Sequence, residues 1–187
     1  MNLLPFLLIF ALINSCIELE ISAPSFPSIM SYFGVAEDIV GLTITTNLIG
    51  FCIAASLYGP LSDAFGRRRI MLMGNGILAI GAIGCVIAPS ISFLLFARFI
   101  QGLGAATSAV VVSAIIADRY KTKEASKLYG LMNAVFTTLM ALAPVMGGFI
   151  NNAIGWRGNY GVVALICGAS WFLLMAFLPE TIMSGFR

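Results

Sequence analysis

Six apolar stretches follow one another with most charges gathered between them, at approximately Leu3 to Ile29, Val40 to Leu61, Ile70 to Ala88, Ile91 to Ile116, Ser126 to Ile150 and Tyr160 to Leu178. About 20 residues, rising 1.5 Å each as a helix, cross the roughly 30 Å of hydrocarbon in a bilayer. Runs this long that do not alternate in polarity exclude strands and predict an all-α membrane protein. Composition bears on the same point: the chain is 60% hydrophobic and 10% charged, whereas soluble domains are about 45–50% apolar and about 25% charged. Its mean hydropathy of +1.01 leaves too little polar surface to coat a soluble particle.

The net charge of +2 hides an uneven distribution. Loop 2-3 carries Arg67, Arg68 and Arg69, and loop 4-5 with the start of span 5 carries Arg119, Lys121, Lys123 and Lys127, seven basic residues in all. The other three loops hold one, Arg157, while loop 1-2 adds Glu37 and Asp38. The positive-inside rule then puts loops 2-3 and 4-5 in the cytoplasm, and an even span count returns both termini there. Topology alone can account for the arginine run.

Several function classes are excluded. No basic arm, zinc-type spacing or phosphate-cradling glycine loop points to nucleic acid, metal or nucleotide. With no histidine and no nucleophile–base pair, neither an enzyme nor a cofactor is expected. The four cysteines, Cys16, Cys52, Cys85 and Cys167, lie within apolar runs with no CxxC pair, which predicts buried free thiols. The start lacks the basic region of a signal peptide, so the first span is expected to be retained.

Sliding the chain by 89 positions lays GPLSDAFGRR, from Gly59, on GFINNAIGWR, from Gly148. Gly66 meets Gly155, Asp63 meets Asn152 and Arg68 meets Arg157. Both stretches follow the second span of a three-span block. Three is odd, so the blocks cross the membrane in opposite senses, an inverted three-plus-three repeat of the kind common in secondary transporters. The repeats are expected at about 1–88 and 89–187 within a single unit.

The residues also resemble a known family. GPLSDAFGRRR, Gly59 to Arg69, is similar to the loop 2-3 signature of the major facilitator superfamily, with Ala64 in place of its usual basic residue. RFIQGLGAA, from Arg98, resembles the span 4 signature R-x-x-Q-G. APVMGG, from Ala143, resembles the span 5 antiporter signature, with alanine for its first glycine and Leu139 where a further glycine is usual. ELEISAPSFPSI, GWRGNY and LPET add a likeness to the Bcr/CflA-type drug-resistance branch. The resemblance implies the amino-terminal six-helix half of a twelve-span carrier in a bacterial inner membrane, exporting drugs or metabolites in exchange for protons. The lipid bilayer, protons and a small, lipophilic substrate are the partners it implies. A second half, another copy of the chain or a separate carboxy-terminal half, would complete it; otherwise the chain is a truncated, non-transporting fragment or an interaction subunit.

Glu18, Glu20 and Arg98 lie within spans, and each charge facing lipid would cost about 2.5–3.5 kcal/mol. They must face protein or a wet cavity. Glu20 and Arg98 lie about 14 Å and about 10 Å below the same surface, so the two can meet. Asn14, Glu18, Ser22 and Ser25 form one polar helical stripe, which favours Glu18 as the cavity residue. The family resemblance favours Glu20, which is taken as the proton site, with Glu18 as second site or structural partner. Proton and substrate would compete there for one charge state; a permanently ionised pair that only fixes helix packing is the alternative. Gln101 can bind substrate or orient Arg98, and the i, i+4 pairs Thr43 with Asn47 and Asn133 with Thr137 can line the same cavity. Gly59 and Gly66 are expected to let the chain reverse between spans 2 and 3, with Gly66 where φ > 0 is needed, and the resemblance assigns Gly59, Asp63, Gly66, Arg67 and Arg68 to a conformational gate. It assigns Pro144, Gly147 and Gly148 to a kink in span 5 associated with antiport; a packing kink is the plainer reading.

Overall fold

The computed structural model describes residues 3–179; Glu180 and Thr181 of the LPET stretch lie outside them. Among the described residues seven α-helices make six spans: α1 (Leu4–Glu20) and α2 (Phe26–Phe33) share the first, followed by α3 (Glu37–Phe65), α4 (Arg67–Val86), α5 (Ile91–Arg119), α6 (Thr122–Ile154) and α7 (Trp156–Phe177). Among the described residues there is no strand. All six spans are long and apolar enough to cross a membrane.

The first span is not one helix. After α1 the chain makes a 3-10 turn, Ala23–Ser25, before α2 resumes to Phe33. Pro24 and Pro27 lack the N–H groups that would bond the carbonyls of Glu20 and Ala23, so regular pairing fails over this stretch. Ser25 N donates to Ser22 O at 3.0 Å instead.

Turns between paired spans are a single residue. Gly66, with φ of 107°, joins α3 to α4, and Gly155, with φ of 81°, joins α6 to α7. Only glycine adopts such backbone without strain. Gly59 and Pro60 lie inside α3, so the reversal expected of both Gly59 and Gly66 rests on Gly66 alone.

Each turn delivers an arginine to the far end of the other hairpin. Arg68 Nη2 donates to Met175 O at 2.7 Å, and Arg157 Nε donates to Val86 O at 3.0 Å. Gly66 and Gly155, Arg68 and Arg157, and Val86 and Met175 all differ by the shift that aligned the sequence with itself. The start of α4 thus meets the end of α7 and the reverse, so the two helices run antiparallel and cap each other's last carbonyls.

Helix α5 is the enclosed axis of the bundle, packed on α3 and α4. Close approach requires Gly102, where a methyl group would collide with the Asn47 carbonyl. The outer surfaces present large apolar groups such as Phe149 and Leu165, about three-quarters exposed, as a lipid-facing surface would. Three cysteines are buried free thiols, but Cys52 is exposed on the outer side of α3, where burial was expected. At one end Tyr32, Phe33, Trp156 and Tyr160 pack against one another, and the Arg157 guanidinium lies 4.5 Å from the Tyr32 ring centre and 4.4 Å from that of Trp156.

Candidate functional site

The break in the first span exposes the last carbonyls of α1, and a buried arginine fills part of the gap. Ile17 O accepts from Ile21 N, Leu19 O from the Ser22 hydroxyl, and Glu18 O from Arg98 Nη1 at 3.2 Å. The same Nη1 donates to Glu18 Oε2 at 2.8 Å and to Gln101 Oε1 at 2.8 Å. Arg98 Nε points at Thr43 O, 3.4 Å away. Asn47 Nδ2 bridges Glu18 Oε2 and the Arg98 carbonyl, both at 3.2 Å. Cys85 Sγ reaches Gln101 Oε1 at 3.5 Å, and the Arg98 guanidinium lies 5.8 Å from the centre of the Tyr160 ring.

This cluster joins α1, α3, α4, α5 and α7 and is sealed from outside: Arg98 is 0% exposed and Glu18 2%. Charges so deep persist only when paired and hydrogen-bonded. The pairing is incomplete, since Arg98 Nη2 and Gln101 Nε2 are buried without a hydrogen-bond partner. These leave donors within the same cluster.

The carboxylate against Arg98 is therefore Glu18's. Glu20, which the depth estimate allowed to meet Arg98, ends α1 half-exposed and takes no part in the ion pair. Asn14, Glu18, Ser22 and Ser25 are all buried, so their stripe faces packed helices. Thr43 and Asn47 belong to the cluster, whereas Asn133 and Thr137 are exposed on α6; the two pairs do not share one cavity. Asn133 instead lines an open cleft of about 270 Å³ between α1, α5 and α6, together with Leu12, Ser113, Tyr129, Met132 and Phe136.

At the opposite end of α3, Asp63 Oδ1 pairs with Arg67 Nη1 at 2.6 Å, and Arg67 Nε holds Asp118 at 3.0 Å. Gly66 makes the turn that aims Arg67 back along α3, while Arg68 points away to α7. Helix α6 runs without interruption through Pro144. Gly147 lies against Ile21 in the broken segment, and its carbonyl accepts from Asn159 at 3.1 Å; Gly148 has more room.

Sequence reasoning missed Asp118, Cys85, Tyr160 and two asparagines, Asn75, bonded to Asn14 at 3.4 Å, and Asn159. A signal existed for the asparagines, because an amide inside an apolar run needs a partner within the protein. Nothing local marks Cys85 or Tyr160.

The family model described as the Major Facilitator Superfamily matches residues 8–183. An uncharacterized MFS-type transporter of Bacillus subtilis, YdgK, is 33% identical over 96% of this chain and 45% of its own length. A chloramphenicol resistance protein of Pseudomonas aeruginosa is 28% identical over 87% of this chain and 39% of its own. A multidrug transporter of Candida glabrata is 28% identical over 84% of this chain and 27% of its own. The chain thus spans less than half the length of these relatives. Among solved structures, the human organic anion transporter MFSD10 superposes with a TM-score of 0.77 at 18% identity, over 96% of this chain and 48% of that one. A peptide transporter, POT, gives 0.78 at 20% identity, over 96% and 39%. At these identities the structures speak to the fold.

Proposed function

The chain belongs to the Major Facilitator Superfamily, and from that premise we propose that it forms the amino-terminal half of a proton-coupled exporter of lipophilic small molecules, working by alternating access. The reading includes the drug-resistance branch and a cytoplasmic position for both termini. Relatives named for chloramphenicol resistance and multidrug transport support it, as does the loop charge pattern.

The observation that carries the reading is the Glu18–Arg98 pair, buried among five helices with donors to spare. An ion pair at membrane depth that only fixed packing could be replaced by apolar side chains at no loss. One that exchanges partners is a switch. Protonation of Glu18 cancels its charge and frees Arg98, which already holds Gln101, to engage a substrate group or the second half. Glu18 is the proton site in this reading because it, rather than Glu20, holds Arg98. The α1–α5–α6 cleft, with Asn133 and Ser113 among Met132, Tyr129 and Phe136, suits one side of an apolar substrate. Asp63, Arg67 and Asp118 latch α3, α4 and α5 on the cytoplasmic side, and Pro144 with Gly147 lets α6 bend against the broken first span.

The test is uptake of a lipophilic cation into vesicles under an imposed pH gradient, with the chain and a matching carboxy-terminal half. Glu18→Gln is expected to abolish gradient-driven uptake while Glu20→Gln retains it. Unchanged pH dependence in both variants removes the coupling. The rival reading is a membrane protein that keeps the fold without the cycle, as a non-transporting fragment or an interaction subunit. Robust transport by the purified chain alone would eliminate that rival and require a homodimer.

A further inference from the structure

The open cleft of about 270 Å³ between α1, α5 and α6 carries polar groups, but no carboxylate, ammonium or guanidinium lines it. Charges on the same three helices point elsewhere or stop short. Glu18 of α1 is sealed against Arg98 of α5. Glu20 lies eight residues beyond Leu12, about 12 Å along the helix. Asp118 is held by Arg67, while Arg119, Glu124 and Lys127 line a different cleft at the α5–α6 turn. A cation entering the cleft would give up water with no countercharge to receive it, which is costly for an unpaired ion.

The polar groups that do line it have a definite balance of donors and acceptors. Asn133 is exposed on α6 and makes no side-chain hydrogen bond among the described residues, so its amide offers both N–H groups and its carbonyl oxygen. The Ser113 hydroxyl already donates to Ala109 O at 2.9 Å, and the Tyr129 hydroxyl to Ser113 O at 3.1 Å. A hydroxyl has one hydrogen, so these two oxygens have only lone pairs left to give. Three oxygens therefore accept and one amide nitrogen donates. An occupant that satisfies them brings at least one N–H or O–H of its own together with an oxygen acceptor. Leu12, Met132 and Phe136 complete the lining and suit an aromatic or branched apolar group.

We infer that this cleft holds an uncharged, hydrogen-bond-donating end of the substrate, a primary or secondary amide or an alcohol attached to an apolar group. Where the molecule also has a charged centre, that centre lies outside the cleft. Asn133 sets the choice, because it alone supplies a donor. That the occupant is a transported substrate rests on the exporter reading, whereas its binding requires neither a proton gradient nor a second half. Selective binding without uptake would leave the cleft standing and sink the exporter; gradient-driven uptake without selective binding would do the opposite.

The full chain in an uncharged detergent is dialysed to equilibrium against three radiolabelled probes. These are biphenyl-4-carboxamide, its N,N-dimethyl derivative, which has lost both N–H groups, and biphenyl-4-yl-trimethylammonium, a cation of similar shape. The carboxamide is expected to bind about fivefold more tightly than the dimethyl derivative, the worth of one neutral hydrogen bond, and the ammonium least of all. Asn133→Leu is expected to weaken carboxamide binding about fivefold. Asn133→Asp, measured at about pH 8, where an open carboxylate is ionised, should raise binding of the ammonium above that of the parent chain, a gain that misfolding cannot produce. Thr138→Ala, on α6 outside the cleft, is expected to leave all three affinities unchanged. Equal binding of the three probes, no binding of the carboxamide, or Asn133 variants that bind as the parent does would overturn the inference.

Discussion

Arg98 is the residue on which most of the buried polar structure depends, because one Nη1 serves the Glu18 carboxylate, the Glu18 carbonyl and Gln101. Arg98→Met strands a buried carboxylate and is expected to destabilise the chain by about 3–5 kcal/mol. Combining it with Glu18→Leu removes both charges and should restore most of that stability, read as recovery of the thermal unfolding temperature in detergent. A double variant as unstable as the single one would mean the cluster matters through Arg98 packing and not through charge. If the pair is the switch proposed above, the recovered double variant remains inactive in transport. The polar helical stripe favoured Glu18 as the cavity residue and the family resemblance favoured Glu20; of the two, Glu18 stands against Arg98. They differ by two positions and point about 200° apart on a helix, so the choice turns on how α1 is rotated against α5.

At the scale of elements, the two one-residue turns set how each hairpin closes. Gly155→Ala forces a side chain into backbone that is nearly glycine-only, at a cost of about 1–3 kcal/mol. Gly59→Ala, inside α3 with nothing near its missing methyl group, is expected instead to be neutral or stabilising by up to about 1 kcal/mol. Similar losses at both positions, measured by thermal unfolding, would contradict this account of the turn. The arginines that follow these turns make a matched pair. Arg157 also stacks on Tyr32 and Trp156, so Arg157→Gln should raise amide exchange at the end of α4 and Arg68→Gln at the end of α7. Exchange that rose only beside the substituted residue would show that the crossed caps do not join the hairpins. The repeat was legible because glycine and arginine recur at fixed spacing. Its crossed hydrogen bonds were not, since a one-dimensional match does not say which ends come together.

For the whole molecule, the proposed half-carrier must meet a second half at the latch. Asp63 is largely exposed even while paired with Arg67, and a helix N-terminus such as that of α6 would attract it through its dipole. In a homodimer, chains carrying Asp63→Cys are expected to crosslink to chains carrying Ser126→Cys, with Cys52 replaced to remove the exposed native thiol. A species that transports while remaining strictly monomeric in the membrane would rule that dimer out. By itself the sequence determined the six spans, the distribution of charge between loops and the need for glycine at Gly66. Each of these is local: hydrocarbon thickness sets the length of an apolar run, and steric limits on φ act one residue at a time. Only tertiary structure decided that Glu18 takes Arg98, that Arg67 reaches Asp118, that Asn133 and Asn47 face different spaces and that Arg68 and Arg157 exchange helix ends. Those outcomes depend on the rotation and depth of one helix against another, which packing across distant segments sets and no single window of residues contains.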